Sequence, residues 1–475
     1  MSYAIYIGRN HSRDGHAWLA GYGDEPSSHW LEIIPAADHA PGSTIEVGVG
    51  PEADMPGHRR QIPQAPRTAA HIRVSYSYYL GVPAPITNGG LNEHGLAVRD
   101  VWSTSRAELI AMTPGDQTGP NYSDLARIAL DRARSAREAV EICADLIGAY
   151  GDSSYGGNSH LFADETEAWV MIQFAGGQGL WVAERLGPDS IRASRPGYVL
   201  DVPVEEPDHP DFRYSANFVS FARDQGWYAG GVFDANAIYG DGKSRWDGVR
   251  WIEGEMARRA ADTGIGFDDM IWAIRTERLT GDTAGYGQVV ALRDPGGPAL
   301  RMLWHAPVGA VAAPFAPVFL GQGEVPAEFG PHRYLTTGES HRFMDMRKVL
   351  AGGGDVLSVV SQVGESSRSA VAEGKRLLNL MHLAGPECLA RIHGAFTRRE
   401  RRLAGLAIRM EGAARVLLDQ GETAAMSELL SHLSGSELRE GLRMVMALAD
   451  GLEAELTAGG PLPLDQQPKG FEQIW

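Results

Sequence analysis

The order of elements along the chain predicts an α+β fold, in which helices pack on antiparallel sheets as a layered sandwich. Strand-like segments come first, a pair of helical patterns follows, and further strands come after the helices. A parallel sheet would instead need strands and helices in regular alternation. Beyond about residue 340 the periodicity becomes helical, which predicts a sandwich over residues 2–340 and a helical extension over 341–475 packed on it.

The chain begins with a predicted β-hairpin. Residues 3–8 (YAIYIG) have the composition of a strand, Asp14 and Gly15 form a typical hairpin turn, and HAWLAGYG predicts the return strand. Chain termini ordinarily fray, whereas a chain that starts directly in a hairpin places its first residues in a sheet.

The elements that follow are predicted in turn. HWLEIIP indicates a strand within an irregular stretch over 25–70, and TNGGLNEHGLAVRDVWS indicates a glycine-rich turn that leads into a strand. Capping residue types at 121, 123 and 124 precede a long helical pattern. NSHLFAD and EAWVMIQFAGG then predict a hairpin, and 200–340 mix helices with strands. The tail has helical periodicity interrupted by Gly and Ser breaks, and its Leu and Met stripes are typical of a packed core.

Composition excludes several classes of function. The 475-residue chain has a formal net charge of −17, which argues against a nucleic-acid partner because phosphate backbones require clustered Lys and Arg. The two cysteines, Cys143 and Cys388, form neither a disulfide framework nor a zinc site. The sequence shows no export signal and no run of 18 apolar residues, so we expect a cytoplasmic protein without a membrane partner.

Motifs for cofactors and metals are absent from the sequence. It contains no phosphate-binding glycine loop and no nucleophile elbow, and its histidines do not form a ligand pattern. We therefore expect no cofactor and no metal. The sequence leaves the oligomeric state open, a homo-oligomer included.

Ser2 suggests a catalytic chemistry. Met1 is normally removed when a small residue follows it, so Ser2 would carry both a hydroxyl and a free α-amine. An α-amine has a pKa of about 7.7–8.0 and can accept the hydroxyl proton near neutral pH. One residue then supplies the nucleophile and the general base. Because many proteins begin with Met-Ser, a catalytic role for Ser2 needs support from other segments of the chain.

Several segments supply that support by resemblance. The opening hairpin with Asp14, Gly15 and Asp24, the segment TNGGLNEHGLA over 87–97, and the hairpin over 158–170 occur in order, followed by weaker matches at 181–185, 245–246 and 315–317. Together they resemble the dipeptidase A and secernin family of N-terminal-nucleophile hydrolases. The resemblance covers about residues 2–340. It implies a four-layer αββα sandwich and cleavage of a dipeptide or another small amide.

Three positions depart from the family pattern. The family nucleophile is usually Cys, whereas this chain has Ser2; the family's basic residue before the Asp is replaced by Gly21; and a common Glu is replaced by Ile172. These changes leave open a hydrolase with a changed substrate, an acyltransferase in which an amine resolves the ester, and a non-catalytic binding relative.

The resemblance assigns roles to individual residues. Ser2 is the expected nucleophile and base, and Asp24 would hold an amine or would only cap a turn. Asn88, Asn92 and the backbone of Gly89 and Gly90 are candidate oxyanion donors, since a glycine-rich turn lets N–H groups approach a carbonyl closely; turn formation alone would explain them equally. Two more candidates for substrate binding are Asn158, from the next hairpin, and Arg195, which would replace the charge lost at Gly21.

Overall fold

The computed structural model describes residues 3–23, 29–50, 55–79, 82–154, 156–194, 199, 201–243, 245–280, 286–330, 369–460 and 462. Its strands are, in chain order, β1 (Tyr3–Ile7), β2 (Ala17–Gly23), β3 (His29–Ile34), β4 (Ala37–Asp38), β5 (Thr44–Gly48), β6 (Arg59–Pro63), β7 (Arg67–Thr68), β8 (His71–Tyr79), β9 (Val82–Asn92), β10 (Ala97–Trp102), β11 (Asn158–Ala163), β12 (Ala168–Gln173), β13 (Trp181–Leu186), β14 (Ile191–Ser194), β15 (Asp201–Val202), β16 (Phe212–Tyr214), β17 (Phe233–Asp234), β18 (Tyr286–Leu292), β19 (Met302–Pro307) and β20 (Ala316–Phe319).

The described helices frame these strands. They are α1 (Ala107–Ala111), α2 (Tyr122–Arg132), α3 (Ala136–Tyr150), α4 (Phe218–Asp224), α5 (Ala235–Tyr239), α6 (Asp247–Thr263), α7 (Phe267–Arg275), α8 (Ala370–Ala384), α9 (Glu387–Asp419) and α10 (Thr423–Thr457).

Two antiparallel sheets form the body of the protein. One has six strands in the order β14-β1-β2-β18-β19-β20, and the other has eight in the order β16-β13-β12-β11-β10-β9-β8-β3. The predicted N-terminal hairpin is confirmed: β1 pairs with β2 in the register Ala4↔Gly21, and β14 lies on its other side. All residues of β1 are buried. The first strand therefore lies inside the sheet.

The two sheets face each other across a shared apolar core. Ala4, Tyr6 and Leu19 of the six-stranded sheet belong to the same buried cluster as Ile72 and Val101 of the eight-stranded sheet. Alternate residues along each strand point to opposite faces, so these positions define the interlayer side of β1, β2, β8 and β10.

Helices cover the outer face of each sheet. Leu125 of α2 and Val140 of α3 pack with Phe162 outside the eight-stranded sheet. Ile252 of α6 packs with Ile5 outside the six-stranded sheet. The order of layers is thus helix, sheet, sheet, helix, within an α+β fold of antiparallel sheets.

The C-terminal helices pack on one another and on the six-stranded sheet. Leu377, Phe396 and Val445 form a cluster shared by α8, α9 and α10. Leu403 of α9 and Leu430 of α10 join the outer core of the six-stranded sheet. Residues 370–457 therefore form a helical layer, whereas the boundary that we placed at 340/341 lies outside the described residues.

The expected glycine breaks occur at Gly385, after α8, and at Gly421, between α9 and α10, but were wrong elsewhere. α9 continues through Gly405 and Gly412, and α10 continues through Gly435 and Gly441. A glycine in a helix costs about 1 kcal/mol relative to alanine. In α10 packing offsets this cost, because a Cβ at Gly441 would lie 3.3 Å from Pro314 Cγ. Tertiary contact thus overrides the local signal.

The helical pattern after residue 121 forms the pair α2 and α3. Asn121 caps α2 by accepting a hydrogen bond from the Asp124 N–H at 3.0 Å, and the Asp124 carboxylate accepts one from the Asn121 N–H at 3.1 Å. Ser135 caps α3. Ser123 has another role: its hydroxyl accepts a hydrogen bond from the Thr87 N–H and ties α2 to β9.

Candidate active site

The start of β1 is where the sequence predicts catalysis. The described chain begins at Tyr3, and Ser2, Asp24 and Arg195 lie outside the described residues. Tyr3 and Ser194, which neighbour Ser2 and Arg195 in sequence, are described, and they show what surrounds this end of β1.

A row of cross-strand neighbours crosses the six-stranded sheet at the position of Ala4 in β1. Cross-strand partners in an antiparallel sheet project from the same face, and Ala4 projects toward the interlayer core. Its row therefore faces the opposite sheet. In the order of the strands the row is Ser194, Ala4, Gly21, Gln288 and His305.

Arg99 faces this row from the opposite sheet. It lies on β10 between Ala97 and Val101, which both point into the interlayer core, and it is 1% exposed. A Cβ built at Gly21 would lie 3.2 Å from Arg99 Cδ. The space left by the missing side chain of Gly21 is thus bordered by the side chain of Arg99.

Gly89 makes room for the same side chain. It pairs with Arg99 in the β9–β10 ladder, and a Cβ built on it would lie 3.2 Å from Arg99 Nη1 and closer still to the carbonyl oxygen of Val98. Its φ of 141° also favours glycine. Glycine at this position lets β9 and β10 stay paired around the buried guanidinium.

Several buried polar atoms of this site have no hydrogen-bond partner among the described residues. They are Nε and Nη2 of Arg99, both side-chain polar atoms of Gln288, Nδ1 of His305 and Oγ of Ser194. Buried polar groups in proteins are nearly always hydrogen-bonded, because an unpaired one costs about 1–3 kcal/mol. Their concentration on both sides of one interlayer space marks it as a candidate binding site.

The electrostatics of the site come from a cation and neutral groups. Burial lowers the pKa of Arg99 to about 10, against a smaller opposing effect of Tyr286, so the guanidinium stays charged at neutral pH. Burial, assisted by His29, lowers the pKa of His305 to about 3, so its imidazole is neutral there. Among the described residues, the site therefore offers the Arg99 cation together with uncharged donors and acceptors.

The glycine-rich turn predicted around Gly89 and Gly90 was wrong. Both residues lie inside β9, paired with Arg99 and Val98, and the turn follows at 93–96. A Cβ at Gly90 would collide with the carbonyl oxygen of Ile72 on β8, so close strand packing requires glycine there.

Asn88 and Asn92, also on β9, occupy different surroundings. Asn88 is buried next to Gly89, where the β8–β9 register shifts between Val74 and Ser75. Asn92 makes four side-chain hydrogen bonds, to the carbonyls of Leu130 and Ala133 and from the N–H groups of His94 and Leu96. Those bonds use the full capacity of an amide and hold the β9–β10 turn against the end of α2.

Asn158 points to the other side of the eight-stranded sheet. Its amide donates to the carboxylate of Asp100, and Asp100 is paired across the strands with His160, whose Nε2 lies 2.9 Å from the carbonyl oxygen of Tyr122 on α2. The structure therefore brings Gly89 to the Arg99 site and places Asn158 on the face that packs against helices.

Arg99, Gln288 and His305 were missed in the sequence, although a signal was present. Each is a polar residue two positions from an apolar residue that points into the core, such as Ala97 for Arg99 and Leu303 for His305. A polar side chain in the buried phase of a strand is a functional hint.

The described residues contain neither a membrane-spanning helix nor a cluster of metal ligands. None of the described helices is long and apolar enough to span a lipid bilayer. Within the described ranges, no group of three or more His, Cys, Asp or Glu side chains converges as a metal site would require.

Comparisons with known proteins bear on the same region. The sequence profile of Peptidase family C69 matches residues 62–247. Probable dipeptidase B from Lactococcus lactis subsp. lactis (strain IL1403) is 31% identical over 102 residues, or 21% of this chain and 21% of that protein. The chain thus matches about a fifth of the length of this curated relative. The profile match includes Arg99 and Ser194 and leaves β1, β2 and β18 outside.

Two solved structures are also similar. They are variants of conjugated bile acid hydrolase from Clostridium perfringens, with TM-scores of 0.31 and 0.29 and sequence identities of 9% and 10%. Each covers 68% of this chain, and the matches cover 93% and 94% of the respective hydrolase chains.

Proposed function

We propose that this protein is a hydrolase that cleaves a small amide or peptide bond through an ester formed on Ser2. The observation that carries the proposal is the group of unpartnered buried polar atoms gathered at the level of Ala4, two residues after the expected nucleophile. The Peptidase family C69 match and the local similarity to probable dipeptidase B support peptide hydrolysis. The helix–sheet–sheet–helix order supports assignment to the N-terminal-nucleophile hydrolase fold.

The proposed reaction has two steps. The Ser2 hydroxyl adds to the substrate carbonyl carbon while its proton passes to the α-amine of the same residue. The C–N bond then breaks, and the leaving amine takes that proton. Water hydrolyses the resulting ester and restores the hydroxyl. Donors on the interlayer row, such as the Gln288 amide, would stabilise the negative charge that develops on the carbonyl oxygen.

Mass spectrometry of the intact protein tests the nucleophile. We expect loss of Met1 and a single adduct on Ser2 after incubation with an amide-directed acylating probe. Ser2→Ala should lose the adduct and Ser2→Cys should keep it, because a thiol can take the same role. Ser220→Ala, at an exposed serine of α4, is the matched control and should react like the wild type.

Two outcomes would contradict the nucleophile assignment: a retained Met1, or a correctly trimmed chain that binds small amides without forming an adduct at Ser2. The second would favour a non-catalytic binding protein. Transfer of the acyl group to an added amine, in place of water, would favour an acyltransferase.

A further inference from the structure

Arg99 is a buried cation that no carboxylate of the described residues neutralises. Its Nη1 donates to the carbonyl oxygen of Val98 at 2.5 Å, and no carboxylate of the described residues forms a hydrogen bond or ion pair with it. An unpaired charge in the protein interior costs several kcal/mol, so such a group persists where it has a use.

The remaining donors have a defined shape. Nε and Nη2 form one edge of the planar guanidinium, and both are buried without a partner among the described residues. Two parallel N–H groups on one edge match the two oxygens of a carboxylate, which is the geometry of bidentate Arg–carboxylate pairs. The Nη1 contact with Val98 fixes the opposite side of the group and leaves this edge free.

The edge lies beside β2, which pairs with the strand that follows the expected nucleophile in sequence. Arg99 Cδ is 3.2 Å from the Cβ position of Gly21, and Gly21 pairs with Ala4. Ser2 precedes Ala4 by two residues in the sequence. An anion held by Arg99 would therefore lie beside β1 and β2, at the position of Ala4.

We infer that Arg99 is a specificity-determining residue that binds a carboxylate of the substrate. The substrate class is then an amide with a carboxylate a few bonds from the scissile carbonyl, such as an N-acyl amino acid. The link to a scissile bond rests on the proposed function, whereas the anion site rests on the geometry of Arg99. The neutral side chain of Gln288 faces the same space and supplies further hydrogen bonds to the ligand.

The test compares N-acetylglycine with N-acetylglycinamide, which differ mainly in the carboxylate. Binding is measured by calorimetry and thermal shift at low salt, on the wild type and on Ser2→Ala, which removes the nucleophile. We expect the acid to bind and to raise the melting temperature, and the amide to do neither. Arg99→Met should weaken binding of the acid by about 10- to 100-fold, the range expected for a lost charge-assisted bidentate contact.

Two further variants separate binding from folding. Arg99→Lys keeps the charge but lacks the edge, so it should retain weak, salt-sensitive binding of N-acetylglycine. Arg73→Met is the matched control: Arg73 lies two strands away on β8 and is already paired with Glu32 at 2.9 Å, so its loss should leave binding unchanged. Ligand-free Arg99→Met should melt at a higher temperature than the wild type, because it removes an uncompensated buried charge.

The inference is overturned if Arg99→Met still prefers the acid over the amide, or if it lowers the melting temperature of the ligand-free protein and the wild type binds both probes alike. Failure of the proposed function would look different. In that case Ser2 would form no adduct, while Arg99-dependent binding of N-acetylglycine would persist in both the wild type and Ser2→Ala.

Discussion

Two buried arginines have opposite environments in this molecule. Arg275 donates through Nε to the carbonyl oxygen of Ala310 and through both terminal nitrogens to the carboxylate of Glu400, so its donors face fixed acceptors. Arg99 is as deeply buried, and within the described part of the chain its guanidinium donates one hydrogen bond, to the backbone. The contrast indicates that Arg275 has a structural role, whereas the free edge of Arg99 suits a ligand.

Asp152 is another buried group with unmet hydrogen-bonding capacity. Its Oδ1 has no partner among the described residues, and it lines a small pocket with Asn158 and Gln173 on the helix-facing side of the eight-stranded sheet. Burial raises its pKa from 3.8 to about 7. The carboxyl group is therefore largely protonated in the folded protein below neutral pH.

This shift predicts a pH-dependent stability. Between about pH 4 and pH 7 the folded protein binds a proton that the unfolded chain releases, so the free energy of unfolding falls as pH rises through that window. Asp152→Asn removes the titrating group. We expect its stability relative to the wild type to increase from pH 4 to pH 7 by a few kcal/mol, on the order of 1.4 kcal/mol per pKa unit, and then to level off.

Urea denaturation at pH 4, 5.5, 7 and 8 measures this difference. Asp145→Asn, at an exposed carboxylate on α3, serves as the matched control for replacing a carboxylate with an amide. A difference between Asp152→Asn and the wild type that stays constant over this range would show that Asp152 does not titrate in it.

The spacing of β1, β2 and β10 depends on Gly21. A Cβ at this position would lie 2.7 Å from the carbonyl oxygen of Tyr3, which belongs to the backbone of β1 and has little freedom to move. Gly21→Ala should therefore displace β1 or β2 and lower the free energy of unfolding by about 1–3 kcal/mol. It should also weaken N-acetylglycine binding, because the added methyl group crowds Arg99 Cδ.

The control for this variant is Gly254→Ala. Gly254 lies on the exposed side of α6, with open space around its Cβ position, so alanine should stabilise the protein by up to about 1 kcal/mol. Equal stability of Gly21→Ala and the wild type in urea denaturation would mean that the hairpin absorbs a methyl group without strain.

Local patterns predicted the elements better than they predicted the site. The β1–β2 hairpin followed from Asp14 and Gly15, and the start of α2 followed from its capping residues. The Gly89-Gly90 pair looked like a turn because turn formers and closely packed strands both require glycine. The choice between a turn and a strand depends on the contacts of β9 with β8 and β10, which are tertiary and do not show in the local sequence.

The pairing of distant strands explains why the site was only partly predictable. Gly21, Gln288 and His305 meet because β2, β18 and β19 are neighbours in the sheet, although more than 260 residues separate β2 from β18. Arg99 reaches Gly21 only because the sheets stack face to face. The resemblance pointed to the loss of a basic residue at Gly21, but only the packing of the two sheets identifies Arg99 as the cation beside that position.

At the scale of the whole molecule, the C-terminal helices are tied to the sheets by a buried ion pair. Glu400 of α9 accepts hydrogen bonds from Arg275 of α7, one of them at 2.7 Å, and from the Phe315 N–H at 2.8 Å. Both charged side chains are at most 5% exposed. The helical layer and the segment that leads into β20 are thus connected through a buried polar contact.

Removing one partner of this pair should destabilise the protein as a unit. Glu400→Gln leaves Arg275 buried without a counter-charge, and we expect the free energy of unfolding to fall by about 3–5 kcal/mol. Arg391 and Glu455, which pair at 2.8 Å between α9 and α10, are both exposed, so Glu455→Gln is the matched control and should change nothing measurable.

Urea denaturation is followed by circular dichroism, which reports mainly on helices, and by tryptophan fluorescence, since ten of the eleven tryptophans precede residue 341. If the layers are coupled as the pair implies, both signals shift together in Glu400→Gln. A shift of the helical signal alone would mean that the C-terminal helices unfold independently and that Glu400 stabilises only their attachment.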